Sequence, residues 1–252
     1  MSLLEVAAQN IAKESTAGVY KLTHDESTYW VKVCGEDKSN FVRALSTKIA
    51  KLESLSYLRS NAALDTKVRF NHEKTTIQYL YQEGLNVPHI LVDAEDFFVT
   101  PNAGVSLDRA PKEYFKGELL NTLFSQFGEM HNRDIVHGRP AMRDILVNEQ
   151  QHITLVDFEE SVLSANSQLK ARDIFLLLMD LCRIEHLTKK QKIQAVELWK
   201  NIVSEADWQA LQKMCRTLSH FQFVAQLVLK FKPRNRTSNQ ILSTLSLLRE
   251  MA

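Results

Sequence analysis

An α+β fold, with a small sheet-bearing N-terminal lobe and a larger helical C-terminal lobe, is predicted by three features of the 252-residue sequence. Residues 18–34 alternate with the two-residue period of strands, in GVYKLTH and STYWVKVC. From about residue 168 to the end the apolar pattern is helical throughout. Seven glycines and five prolines are less than half of the usual shares, about 7% and 5%, so tight turns are few and helices many.

Taken in order, the first two strands are joined by a polar turn around Asp25 and Glu26. Leu45, Ile49, Leu52 and Leu55 have helical spacing and predict a helical insertion over 36–66. A second helix runs from about Arg69 to Glu83 and stops at Gly84, with Pro88 just beyond. HILVDA and DFFVT read as strands leading to PNAG, a break at 101–104. These elements make up the first lobe, residues 1–100.

Residues 101–252 form the second lobe. Leu120, Leu123, Phe124, Phe127 and Met130 mark a helix that ends before HNRD. Two short apolar runs, Ile145–Val147 and Ile153–Val156, flank the turn NEQQH and form a hairpin within 135–160. Ile174 to Met179 is apolar on every side, which demands burial all round. Ser204 followed by Asp207 resembles a capping box, and Trp199 and Trp208 fall on apolar helical faces as core residues.

Composition excludes several classes of function. Thirty-one Lys and Arg against 30 Asp and Glu give a net charge of +1, so no global field attracts DNA or an anionic surface. Cys34, Cys182 and Cys215 are odd in number and far apart, unlike a disulfide framework or a structural zinc site. His131 and His137 have a poor metal-ligand spacing. The opening MSLLEVAAQN carries Glu5 in its apolar run and reads as no secretory signal. No apolar run is long enough to span a bilayer, and a cytoplasmic location is expected. One local basic run, Lys230, Lys232, Arg234 and Arg236, is either solvated surface or a contact for an anionic surface, at the inner face of a membrane or on RNA.

Three charges occupy positions where a core pattern prefers apolar residues. Lys32 lies mid-strand on the face of Trp30 and Cys34; Glu73 lies in the stripe of Phe70, Ile77 and Leu80; Asp157 closes the strand ITLVDF. Burying any one alone costs several kcal/mol, so each calls for a partner. Each also has an ordinary reading, as a snorkelling lysine, a helix-edge glutamate or a strand-end aspartate. Their order along the chain favours the joint reading.

That order, a strand Lys, a helix Glu, a His-containing loop and a hairpin ending in Asp-Phe, resembles the protein kinase-like superfamily. VKV at 31–33 stands for the lysine strand, HGRPAMRDILV at 137–147 for the catalytic loop, and VDFEE at 156–160 for the Asp-Phe-Gly segment. RDIFLLLMDL, from Arg172, is similar to the buried helix that anchors that loop through an Asp, here Asp173. The compact branches are most similar: lipopolysaccharide-core sugar kinases, RIO-type kinases and aminoglycoside phosphotransferases. Sixteen positions separate Asp157 from Asp173, which leaves no room for a regulated activation loop.

The resemblance implies a bilobal kinase-like fold that binds Mg-ATP between its lobes and transfers the γ-phosphate to a hydroxyl of a saccharide, small molecule or protein. It implies that Lys32 holds the nucleotide phosphates, that Glu73 fixes Lys32, and that Asp144 and Asp157 bind Mg²⁺. Ser15, Thr16 and Gly18 of ESTAGVYKL would form the phosphate loop, with a single glycine. Aligning His137 and Gly138 with the family motif puts Arg139 at the catalytic base, eighteen positions before Asp157. Asp134, in HNRD, lies too early for that role. Arg139 and Arg143 could grip phosphate through bidentate guanidinium contacts. Two outcomes stay open: a phosphotransferase relying on charge and positioning, or a pseudokinase that binds a nucleotide or a partner without catalysis.

Overall fold

Ser2 and Glu5 open the first helix, α1 (Leu3–Glu14), by exchanging side-chain and backbone hydrogen bonds in a capping box. The computed structural model describes residues 2–35 and 66–251. It divides into two units, one formed by 1–104 with 154–160, the other by 105–153 with 161–252. The first unit carries a small antiparallel sheet and the second is predominantly helical. Except for Thr66, the insertion expected over 36–66 lies outside the described residues.

In the first unit, β1 (Gly18–His24) and β2 (Ser27–Val33) form a hairpin whose two loop residues, Asp25 and Glu26, both take positive φ, 47° and 60°. Those angles suit a turn that matches strand twist, in a place where glycine is commoner. With β3 (Val92–Asp93) and β4 (Phe97–Pro101) the sheet has the order β1-β2-β4-β3. HILVDA thus contributes two strand residues, fewer than its apolar pattern suggested.

The two-residue period then divides the sheet's side chains. Val31, Val33, Phe97 and Val99 face one way and form a core with Ala8 of α1, beside Leu4 and Ile11. Lys32 and its cross-strand partner Phe98 belong to the other face. That face meets α2 (Thr66–Gln82), where Phe70 packs on Phe98 with ring centroids 5.4 Å apart. Phe70, Glu73, Ile77 and Leu80 are all buried, as their shared helical stripe requires. Gly84, at φ 75°, closes the helix end, with Leu85 N–H donating to the Leu80 carbonyl.

In the second unit, β5 (Val105–Ser106) pairs with β6 (Ile145–Val147); β7 (Ile153–Leu155) begins at that unit's Ile153 and continues into the 154–160 segment of the first. Helix α3 (Leu119–Asn132) buries Leu123, Phe124, Phe127 and Met130. Helix α4 (Ser167–Leu181) buries Ile174, Phe175, Leu177 and Leu178, while Leu176 and Met179 are half-buried. The rest is α5 (Lys189–Ile202), α6 (Glu205–His220), α7 (Gln222–Phe231) and α8 (Arg236–Arg249). Ser204 caps α6 by accepting from Asp207 N–H, and its hydroxyl donates back to Asp207 Oδ2 at 2.7 Å. The Asp207 side chain thus closes on the Ser204 hydroxyl, and on Lys170 at 3.4 Å, rather than on the backbone N–H a full box requires. Among the described residues no helix is long and apolar enough to cross a membrane.

Candidate functional site

The out-of-place charges of the first unit meet. β2 carries Lys32 to the face covered by α2, and its Nζ lies 2.5 Å from Glu73 Oε2. The same ammonium is 3.5 Å from Asp157 Oδ1 and 3.1 Å from Glu159 Oε1. Glu159 in turn accepts a hydrogen bond from Arg69 Nη1 at 3.0 Å. Arg69 sits one turn before Glu73 on α2 and is buried beside it. Three carboxylates therefore surround two cations.

Burial alone would pull the Lys32 ammonium down, but the carboxylates of Glu73, Asp157 and Glu159 outweigh it and hold it above the usual lysine value. Glu73 is 2% exposed, and burial pushes its carboxyl up to about 7 against the pull of Lys32. Asp157 takes a left-handed backbone, φ 69°, which costs an L-residue of order 1–3 kcal/mol unless its surroundings impose it. Strain of this kind gathers where a side chain must be aimed.

One oxygen from each of Glu73, Asp157 and Glu159 lies within 4.8 Å of the others. Hard carboxylate donors of this kind suit Mg²⁺, and one negative charge remains after Lys32 and Arg69 are counted. Glu73 is committed to Lys32, so Asp157 and Glu159, each about one-third exposed, are the ligands this cluster offers to a metal.

Gly18 stands opposite Val33, one residue from the Lys32 register, and a Cβ there would approach the Tyr20 ring to 3.3 Å. Tyr20 OH donates to the Thr16 carbonyl at 2.8 Å and pins the loop to β1. Ser15 and Thr16 follow the C-terminal, negative end of α1, so the loop offers hydroxyls to a phosphate but no positive helix pole.

The second unit holds the remaining expected residues. Asp173 accepts from His137 N–H at 2.9 Å and from Gly138 N–H at 2.8 Å, and its Oδ2 is 3.2 Å from His131 Nε2. Trp199 Nε1 donates to His131 Nδ1, and Arg172 donates to the Gly138 carbonyl. Two turns along α4, Asp180 accepts from Met142 N–H at 2.7 Å. The 137–142 loop is thus held by its backbone, with Gly138 at φ 93° and Arg139 exposed. Asp144 is buried, 3.3 Å from Arg143 Nε. Asp134 pairs with Lys170 at 2.8 Å.

Arg69 and Glu159 were not singled out from the sequence. Arg69 could have been, since it lies four residues before Glu73 on one buried stripe. Glu159 follows Asp157 and Phe158, where the resembled motif has glycine and gives no expectation of a carboxylate.

No family model matches the chain. A Haemophilus influenzae protein, described as uncharacterized, is 27% identical over 240 residues, covering 92% of this chain and 90% of that protein. The crystal structure of a Rio2 kinase complex with ADP/Mg²⁺ and phosphoaspartate, from Chaetomium thermophilum, matches with a TM-score of 0.49 and 14% identity, over 85% of this chain and 75% of that one.

Proposed function

We propose that this chain is a kinase-like phosphotransferase that binds Mg-ATP through the Lys32 cluster and transfers the γ-phosphate to a hydroxyl. The observation that carries the reading is a strand lysine held at 2.5 Å by a buried helix glutamate, with Asp157 on the same ammonium. A cation so fixed meets phosphate oxygens without first losing side-chain freedom. The anchored 137–142 loop supports the same reading, because Asp173 and Asp180 make its backbone rigid.

Ser15 and Thr16 supply hydroxyls and Gly18 allows close approach. Asp157 is a metal ligand in this reading, Glu159 beside it is a further candidate, and Asp144 is a ligand on the sequence resemblance alone. Magnesium, when bound, would neutralise charge on the phosphates. In transfer, the acceptor oxygen forms a bond to the γ-phosphorus as the bond to the bridging oxygen breaks, and ADP leaves with that electron pair. Arg139 is a permanent cation and takes no proton, so the hydroxyl proton goes to water or to phosphate. Its guanidinium instead suits an anionic acceptor or the γ-phosphate. A saccharide acceptor is favoured by the sequence resemblance alone.

A second reading rests on Arg139, which lies exposed at the expected base position. On it the chain binds nucleotide without transfer and acts as a pseudokinase. ATP labelled at the γ-phosphate, incubated with Mg²⁺ and hydroxyl acceptors, separates the two. Label on an acceptor, or slow release of ADP, supports transfer. Nucleotide binding without ADP, together with turnover in Arg139→Asp, supports the second reading. Absence of nucleotide binding overturns both.

A further inference from the structure

Helix α7, QFVAQLVLKF, is apolar on two sides, and one of those sides is open. Ala225 is buried and Leu229 half-buried, while Arg249 of α8 donates to Gln222 Oε1 at 2.7 Å and fixes the helix's rotation. On the other side, Phe223, Leu227 and Phe231 recur every fourth residue and expose 60%, 51% and 81% of their surface. Val224, 47% exposed, flanks the row, and the exposed Lys230 borders it. Exposed apolar rows of this kind are uncommon on a soluble surface and mark contact with something.

The charge around the row is one-sided. Between Gln209 and Arg249 the sequence has no Asp or Glu but seven Lys or Arg. Elsewhere the balance reverses, since 31 cations less these seven leaves 24 against 30 acids. Lys230, Lys232, Arg234 and Arg236 are all exposed at the end of the apolar row.

We propose that the α7 face docks on an anionic lipid bilayer, with the phenyl and aliphatic groups at the headgroup–acyl boundary and the 230–236 cations on lipid phosphates. A row of Phe, Leu and Val beside a cluster of Lys and Arg has the chemistry of an interfacial helix. A second copy of the chain fits worse, because two-fold docking would set like cations against one another. RNA fits worse too, since Val224 and Leu227 cannot stack on bases. The row carries no hydrogen-bonding group with which to orient a specific protein partner, and a bilayer needs none. The inference is independent of the nucleotide reading.

Co-sedimentation of the full chain with vesicles tests it, comparing phosphatidylcholine alone with phosphatidylcholine mixed with phosphatidylglycerol. Binding to the mixed vesicles, weakened by salt, is expected. Phe223→Gln with Leu227→Gln should abolish it without lowering Tm, since both side chains are exposed. Lys230→Gln with Lys232→Gln should weaken partitioning roughly thirtyfold. If the apolar double variant melts early, Phe231→Gln at the helix end carries the same test. No binding to anionic vesicles at low salt overturns the proposal, as does undiminished binding by a folded Phe223→Gln, Leu227→Gln chain. Binding to a polyuridine RNA in place of vesicles also overturns it and marks a nucleic-acid surface.

Discussion

Lys32 Nζ and Glu73 Oε2 lie 2.5 Å apart, with the carboxylate sealed between α2 and the sheet. A buried pair of this kind is a poor source of stability, because desolvating both charges offsets most of their attraction. Well-packed apolar residues would serve a purely structural need as well. A stability role alone therefore does not account for the pair.

Removing one partner tests the coupling. Lys32→Met should cost about 3 kcal/mol near neutral pH, as Glu73 loses its cation inside the unit. Adding Glu73→Gln should restore most of that loss, and a double-mutant cycle by urea unfolding would show the non-additivity. Additive losses would mean that the two side chains do not depend on each other.

The pH dependence has a definite sign. Glu73 is raised by burial from 4.5 to about 7, so in that window the folded chain holds a proton that the unfolded chain has released. Its contribution to stability, on the order of 3 kcal/mol, is complete below about 4.5 and lost as pH rises through about 7. Unfolding free energies of wild type minus Glu73→Gln should fall across this range. Lys32, held above its usual value, keeps its charge throughout.

Glu159 competes for the cation that a phosphate would use. It lies 3.1 Å from Lys32 Nζ and 3.0 Å from Arg69 Nη1, and is partly exposed. Glu159→Gln should raise affinity for tripolyphosphate, measured without Mg²⁺, roughly fivefold, the scale of a part-exposed ion pair worth about 1 kcal/mol. Weaker binding in this variant would assign Glu159 a supporting role instead.

Asp173 carries the loop that contains Arg139. Asp173→Ala strands the buried N–H groups of His137 and Gly138 and removes the partner of His131. Its expected cost is about 3–5 kcal/mol, read as a lowered Tm. Asp134→Ala, removing an exposed partner of Lys170, should change Tm far less.

The meeting of Lys32, Glu73 and Asp157 was legible in the sequence because each interrupts an apolar pattern, and a charge in such a place needs a partner. The α2 stripe was legible through its period and the α4 run through its unbroken apolar stretch, although Leu176 and Met179 are half-buried rather than sealed. Helix α1 is marked in the sequence by little beyond the Ser2 and Glu5 of its capping box, since its apolar run is short and interrupted by Glu5. Two-residue strands such as β5 have no period to detect. Glu159 was hidden because an ion pair with a residue ninety positions away leaves no local pattern. The side-chain cap of α6 was legible in Ser204 and Asp207, whereas the Lys170 contact of Asp207, 37 positions away, leaves no local pattern.

Calorimetric titration with Mg-ATP of the wild type and of the Lys32→Met, Glu73→Gln chain addresses the proposed nucleotide site directly, since the paired change spares stability. Saturable heat in the wild type, weakened at least tenfold in the variant, is expected from a phosphate held by Lys32. Equal binding by both chains, or no heat from the wild type, would contradict it.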